Sequence, residues 1–76
     1  MDKMDKYEAT ASRFKELKPG WDSYGGKPIS HKCLDKALSI LSELSDEYQM
    51  VPDPDGGVQL ERHTGGLDIE IYIVEA

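Results

Sequence analysis

Two histidines and one cysteine are the side chains of this 76-residue chain best suited to acid–base, nucleophilic or metal chemistry. His31 stands two positions before Cys33, and His63 lies between Glu61 and Asp68. A structural zinc site takes four ligands, usually in spaced pairs, and one cysteine with two distant histidines does not make that pattern. Asp22, Asp53 and Asp55 stand near glycines as in a calcium loop, but the alternating oxygen ligands and the closing glutamate of such a loop are absent. Cys33 is the only thiol, and it falls near the start of an expected helix, where thiols are in general activated. The same position also suits a core, and so short a chain has little material for a water-excluding pocket. The expectation is a non-enzymatic protein with no catalytic residue, no cofactor and no bound metal.

Carboxylates are the more abundant chemistry. Asp and Glu number 15 against 9 Lys and Arg, for a net charge of −6. The surplus is uneven: residues 1–38 carry eight basic and six acidic side chains, whereas residues 39–76 carry one and nine. Binding to a phosphate backbone needs a clustered basic surface, so direct nucleic-acid binding is not expected. An acidic half favours a basic protein partner or, more plainly, serves solubility.

These acids must be positioned by an alternating stretch, Val58 to Val74, whose two arms meet at Gly65-Gly66 and read as a β-hairpin. Leu67, Ile69, Ile71 and Ile73 alternate with Asp68, Glu70 and Tyr72, so one face seeks a core and the other is acidic. Gln59, Glu61 and His63 extend the polar face, flanked by Asp53, Asp55 and Glu75. Asp55-Gly56 signals a preceding turn with positive φ at both central residues. A first strand at about residues 50–53 then precedes strands at about 57–63 and 67–74. Pro52 assigns the first strand to an edge, because proline cannot donate to a ladder.

Two helices come before the strands. Met4, Tyr7, Ala11, Phe14 and Leu17 recur every three or four positions, which predicts an amphipathic helix over about residues 2–17, ended by Lys18-Pro19-Gly20. A second helix has Ser30 as N-cap, Ile29 stapling onto Leu34, and an apolar stripe of Leu34, Ala37, Leu38, Leu41, Leu44 and Tyr48, to about residue 48. Glu43, Asp46 and Glu47 would then oppose the helix dipole, a hint that their charge is used. Between the helices, Trp21 and Tyr24 sit among glycines and prolines. Trp21 suits a plug at the core's edge; with Tyr24 and Asp22 it could instead form an exposed hot spot.

The predicted architecture is α+β, with two helices packed on one face of a small antiparallel sheet of two or three strands, order α-α-β-β-β, in a single domain spanning 1–76. No stretch is apolar enough to span a membrane, and Met-Asp-Lys-Met-Asp-Lys lacks the apolar core of a signal peptide, so a cytoplasmic location is expected.

Gly20-Trp21-Asp22-Ser23-Tyr24-Gly25-Gly26, followed by Asp55-Gly56-Gly57-Val58-Gln59-Leu60-Glu61 and an alternating last strand, resembles a group of small, mostly uncharacterised proteins of bacteria and their phages. Those share a Gly-Trp-Asp loop and an Asp-Gly-Gly-Val-x-Leu-Glu hairpin start, often with an aromatic where Arg62 stands here. The resemblance covers about residues 20–73 and implies an origin in a bacterial cell or its phage rather than an activity.

The expected function is that of a small acidic inhibitor, for example an anti-defence protein of the anti-CRISPR kind, that occludes the basic nucleic-acid-binding surface of a protein partner. Glu61, Asp68, Glu70, Asp53 and Asp55 would stand where phosphates otherwise sit, with Tyr72 or Tyr24 as aromatic anchor. The alternative is an antitoxin or a structural homodimer, paired through the last strand, whose acidity serves solubility only.

Overall fold

Alternating sequence and two punctuating turns build a meander. A computed structural model describes residues 3–75. Its elements are α1 (Lys3–Lys15), α2 (His31–Glu43), β1 (Gln49–Pro52), β2 (Val58–Thr64) and β3 (Leu67–Ile73). The strands form one antiparallel sheet in the order β1-β2-β3. Both helices lie on one face of it, giving the α-α-β-β-β arrangement the sequence predicts. Asp2, placed at the start of the first helix by periodicity, lies outside the described residues.

Thr64 pairs with Leu67 across Gly65 and Gly66, both at positive φ (56° and 77°). That is the two-residue turn whose twist matches paired strands. The other turn departs from expectation. Only Gly56 takes positive φ there; the Gly56 amide donates to Asp53 O and the Asp53 amide to Gly57 O, both at 3.0 Å. Pro54 and Asp55 occupy the centre of an ordinary turn, where proline's φ belongs, and Gly56 absorbs the left-handed step. Gly57 has a separate reason to lack a side chain: a Cβ would stand 2.5 Å from the Ile73 carbonyl oxygen.

α1 buries Tyr7 and Ala11, with Met4, Phe14 and Leu17 against the core's margin. It ends at Lys15, two residues short of the predicted limit, tightening through bonds from Glu16 N to Arg13 O and Leu17 N to Phe14 O. α2 begins as predicted: Ser30 Oγ accepts from the Cys33 amide at 3.3 Å, and Ile29 and Leu34 are both buried.

α2 stops at Glu43 rather than near Tyr48, because Leu44 is extended (φ −89°, ψ 135°). Ending there takes Asp46 and Glu47 off the negative end of the helix dipole. Each then meets a cation: Asp46 pairs with Arg62 at 3.3 Å, and Glu47 with Lys6. The Lys3 ammonium donates to the Leu44 carbonyl just past the helix. The acidity at this end therefore serves the fold. Tyr48 is still buried, but from extended chain, and its amide donates to the Tyr7 hydroxyl at 3.0 Å, tying α1 to the entrance of β1.

The core closes around Leu34 and Leu41 of α2 and Val58 and Leu60 of β2, all fully buried, with Met50 and Ile73 completing the sheet side. At about 25 cal/mol per Å² of apolar surface, a fully buried leucine or valine of this kind contributes about 1.5–3 kcal/mol. The apolar face of β3 is only partly used. Ile73 is buried, Ile71 and Ile69 are half-buried, and Leu67 is 61% exposed. The hairpin projects beyond the helices at its turn end, so the predicted burial of that face fades along the strand.

Candidate functional site

Because partners directly opposite each other in a sheet point to the same side, the pairs Gln59–Tyr72, Glu61–Glu70 and His63–Asp68 share the face turned away from the helices. This is the acidic face the alternation predicts. Gln59 is its exception: it is buried, covered rather than presented, with its amide donating to Glu61 Oε1.

Glu61 and Glu70 stand directly opposite, an arrangement of like charges that costs stability in a sheet. Neighbours on the same face take up part of that cost. The Tyr72 hydroxyl donates to Glu70 Oε2 at 3.1 Å, and its phenol is held above the ordinary 10.0 chiefly by that bond, with the charges of Glu70, Asp53 and Glu61 adding to it. His63 Nδ1 lies 2.8 Å from Asp68 Oδ1, and Nε2 lies 3.6 Å from Glu61 Oε2. The hydrogen bond to Asp68 raises the His63 imidazole above its ordinary 6.5, against a smaller opposing effect of desolvation.

Asp53 extends the cluster toward the opposite end of the face. Burial first, then the charges of Asp55 and Glu61, raise its carboxyl above the ordinary 3.8. Asp55 is partly committed to the turn, its Oδ1 accepting from the Gly57 amide at 2.9 Å. The face therefore runs from Asp68 beside one turn to Asp53 and Asp55 at the other. Asp55, His63, Asp68, Glu70 and Tyr72 are its exposed members, and Glu61 is partly covered.

Tyr24 and Trp21 part company. The Trp21 indole packs against the core and donates to the Lys27 carbonyl at 2.7 Å, as a plug does, so it is not an exposed hot spot. Tyr24 is 92% exposed. Asp22 does structural work in this loop: its Oδ1 accepts from the amides of Tyr24 (2.9 Å) and Gly26 (2.7 Å). Those bonds, that to Tyr24 foremost, hold its carboxyl below the ordinary 3.8 despite some desolvation. The Lys27 amide donates to the Pro54 carbonyl and the Ser30 amide to Gly56, which seats the loop against the β1–β2 turn. Tyr24 thus belongs to the same end of the molecule as Asp53 and Asp55.

Cys33 is buried and 2% exposed, on the α2 side facing the core. His31 opens α2, on the helix layer, whereas His63 lies on the outer face of the sheet. Among the described residues no group of three His, Cys, Asp or Glu side chains is arranged to hold a metal ion, and no helix is long and apolar enough to cross a membrane.

Two features escaped sequence reasoning. Arg62 lies on the helix side of the sheet, opposite Ile69, where it reaches Asp46. Its place in the alternation, between Glu61 and His63, was the available signal. The second is a shallow apolar groove along β3, where half-buried Ile71 and exposed Val74 stand beside Lys36 and Ile40 of α2, with Ile73 and Cys33, both buried, also lining it.

No family model, no curated protein sequence and no solved structure matches this chain.

Proposed function

We propose that this protein is a small, non-enzymatic acidic binding protein that covers a basic, nucleic-acid-binding surface of a protein partner with the outer face of its sheet. The observation that carries the reading is Glu61 directly opposite Glu70, with Asp68 and Asp53 extending the acid to both ends. Like charges at a cross-strand pair work against the sheet that holds them. A face selected for solubility alone needs no such pairing, because scattered acids serve solubility equally well. A guanidinium or ammonium docked between the two carboxylates would relieve their repulsion on binding.

In this reading Glu61, Asp68 and Glu70 take the positions of phosphates, with Asp53 and Asp55 extending the strip. Tyr72 on the face and Tyr24 beside the far turn are aromatic anchors at its margin. The Gly-Trp-Asp loop and the Asp-Gly-Gly-Val-x-Leu-Glu hairpin support a bacterial or phage origin and, with the acidic strip, an inhibitor of the anti-defence type working in the cytoplasm. The test is competition. The chain is mixed with a purified nucleic-acid-binding protein from such a defence system, and nucleic acid or salt is then titrated in. Release by both is expected, since screening weakens exposed charge pairs and the nucleic acid occupies the same basic surface. Binding indifferent to both removes this reading.

A further inference from the structure

The sheet ends at β3, and no other strand among the described residues pairs with its far side. In the tight hairpin Thr64 and Leu67 flank the turn as a hydrogen-bonded pair, and bonding then alternates along the ladder. Leu67, Ile69, Ile71 and Ile73 direct their backbone groups to β2. Asp68, Glu70 and Tyr72 direct theirs outward, so a seven-residue strand presents an unpaired ladder. The apolar groove lies along this same edge, and among the described residues three of the four exposed large hydrophobic side chains, Leu67, Tyr72 and Val74, belong to β3 or adjoin it. The strand contains no proline and no lysine, the usual guards of an open edge.

From this edge we infer that two copies of the chain pair antiparallel through β3, centred on Ile71, into one six-stranded sheet. The occupant is a second copy because the edge is complementary to itself in one register. Centring on Ile69 would set Asp68 against Glu70, and centring on Glu70 would set that carboxylate against its own twin, both repulsive. Centring on Tyr72 avoids like charges but sets only residues 71–73 of the two strands against each other, whereas centring on Ile71 engages residues 69–73. Centring on Ile71 sets Glu70 against Tyr72 of the partner subunit, and Asp68 against Val74 of the partner subunit. On the helix side the two Ile71 side chains meet, and Ile69 meets Ile73 of the partner subunit, covering the groove that a single copy leaves open. The two Glu70 carboxylates remain diagonal neighbours at about 7–8 Å, a separation comparable to the screening length in physiological salt.

A two-fold axis perpendicular to the sheet keeps both acidic faces on one side. Glu61, Asp68 and Glu70 of each copy then form one strip of twice the length. The pairing itself rests on the edge and the groove, not on the binding reading.

Sedimentation velocity from micromolar to millimolar concentration tests it, with amide hydrogen exchange over the same range. The expected result is a dimer that tightens several-fold as salt rises, the opposite of the salt response expected for a basic partner. Glu70→Gln is expected to tighten it further, since it removes the diagonal repulsion but keeps the backbone. Glu70→Pro removes an outward-facing amide and blocks the edge while leaving the β2 ladder intact, and is expected to yield a monomer that still melts cooperatively. If Glu70→Pro does not fold, the unmodified chain decides: the Glu70 and Tyr72 amides exchange more slowly as concentration rises. A chain that stays monomeric at millimolar concentration, or amides whose exchange is independent of concentration, overturns the proposal.

Discussion

The two edges of this sheet are built on opposite principles. β1 is four residues long, ends in Pro52 and enters from Tyr48, whose amide is held by the Tyr7 hydroxyl of α1. β3 is seven residues long, lacks proline, and carries its charge on one face and half-buried isoleucines on the other. The first edge is closed by brevity, proline and a helix; the second is open, and only its carboxylates discourage pairing. One sheet can thus be finished on one side and available on the other, with the acidic face reaching across both.

The largest effect should come from loosening the closed edge. Tyr7→Phe keeps the ring but leaves the buried Tyr48 amide without its acceptor, and is expected to cost about 1–3 kcal/mol of stability, read by chemical denaturation. An unchanged midpoint would show that β1 is not held by this bond. The open edge should respond in the other sense. Glu70→Thr removes one of the two opposed carboxylates and supplies a side chain suited to a strand, so stability should rise by about 0.2–1 kcal/mol. A loss would mean that Glu70 is held by its neighbours more strongly than Glu61 repels it.

The smallest effect is protonic. His63 has its proton affinity raised in the folded chain by its bond to Asp68, so its stabilisation is fully present below the unfolded midpoint of 6.5. It is lost as pH rises through the higher folded midpoint. The melting temperature should fall slightly over that window. The His63 ring resonances should titrate above 6.5 in the native chain and return toward 6.5 in Asp68→Asn. A midpoint that Asp68→Asn leaves unmoved would remove the histidine from the electrostatics of this face.

Much of this comparison was legible in the residues. The period-two alternation from Val58 to Val74 set the two faces, Pro52 marked the edge strand, and Ser30 with Ile29 marked the start of α2, because each is a local rule with a local cause. What escaped depended on distant partners. Tyr48 continues the apolar stripe of α2, yet the chain leaves the helix at Leu44, and Asp46 and Glu47 find Arg62 and Lys6. Asp55-Gly56 has the composition of a two-residue turn, but Pro54 before it favours the longer loop. Leu67 alternates correctly and still meets solvent, since the reach of the helical layer is a property of packing rather than of pattern. The acidic face itself could be read from spacing. The direct opposition of Glu61 and Glu70 needed one thing more, the two-residue length of the turn at Gly65-Gly66, which fixes the register between the two strands.

That opposition is the centre of the account, and one variant addresses it. Glu61→Gln, Asp68→Asn and Glu70→Gln together remove the charge of the strip while leaving its shape, and the measurement is affinity for a purified basic nucleic-acid-binding partner alongside the melting temperature. The expected result is a chain that melts no lower than the parent and no longer competes with nucleic acid for the partner. Binding and competition undiminished in a folded triple variant would contradict it.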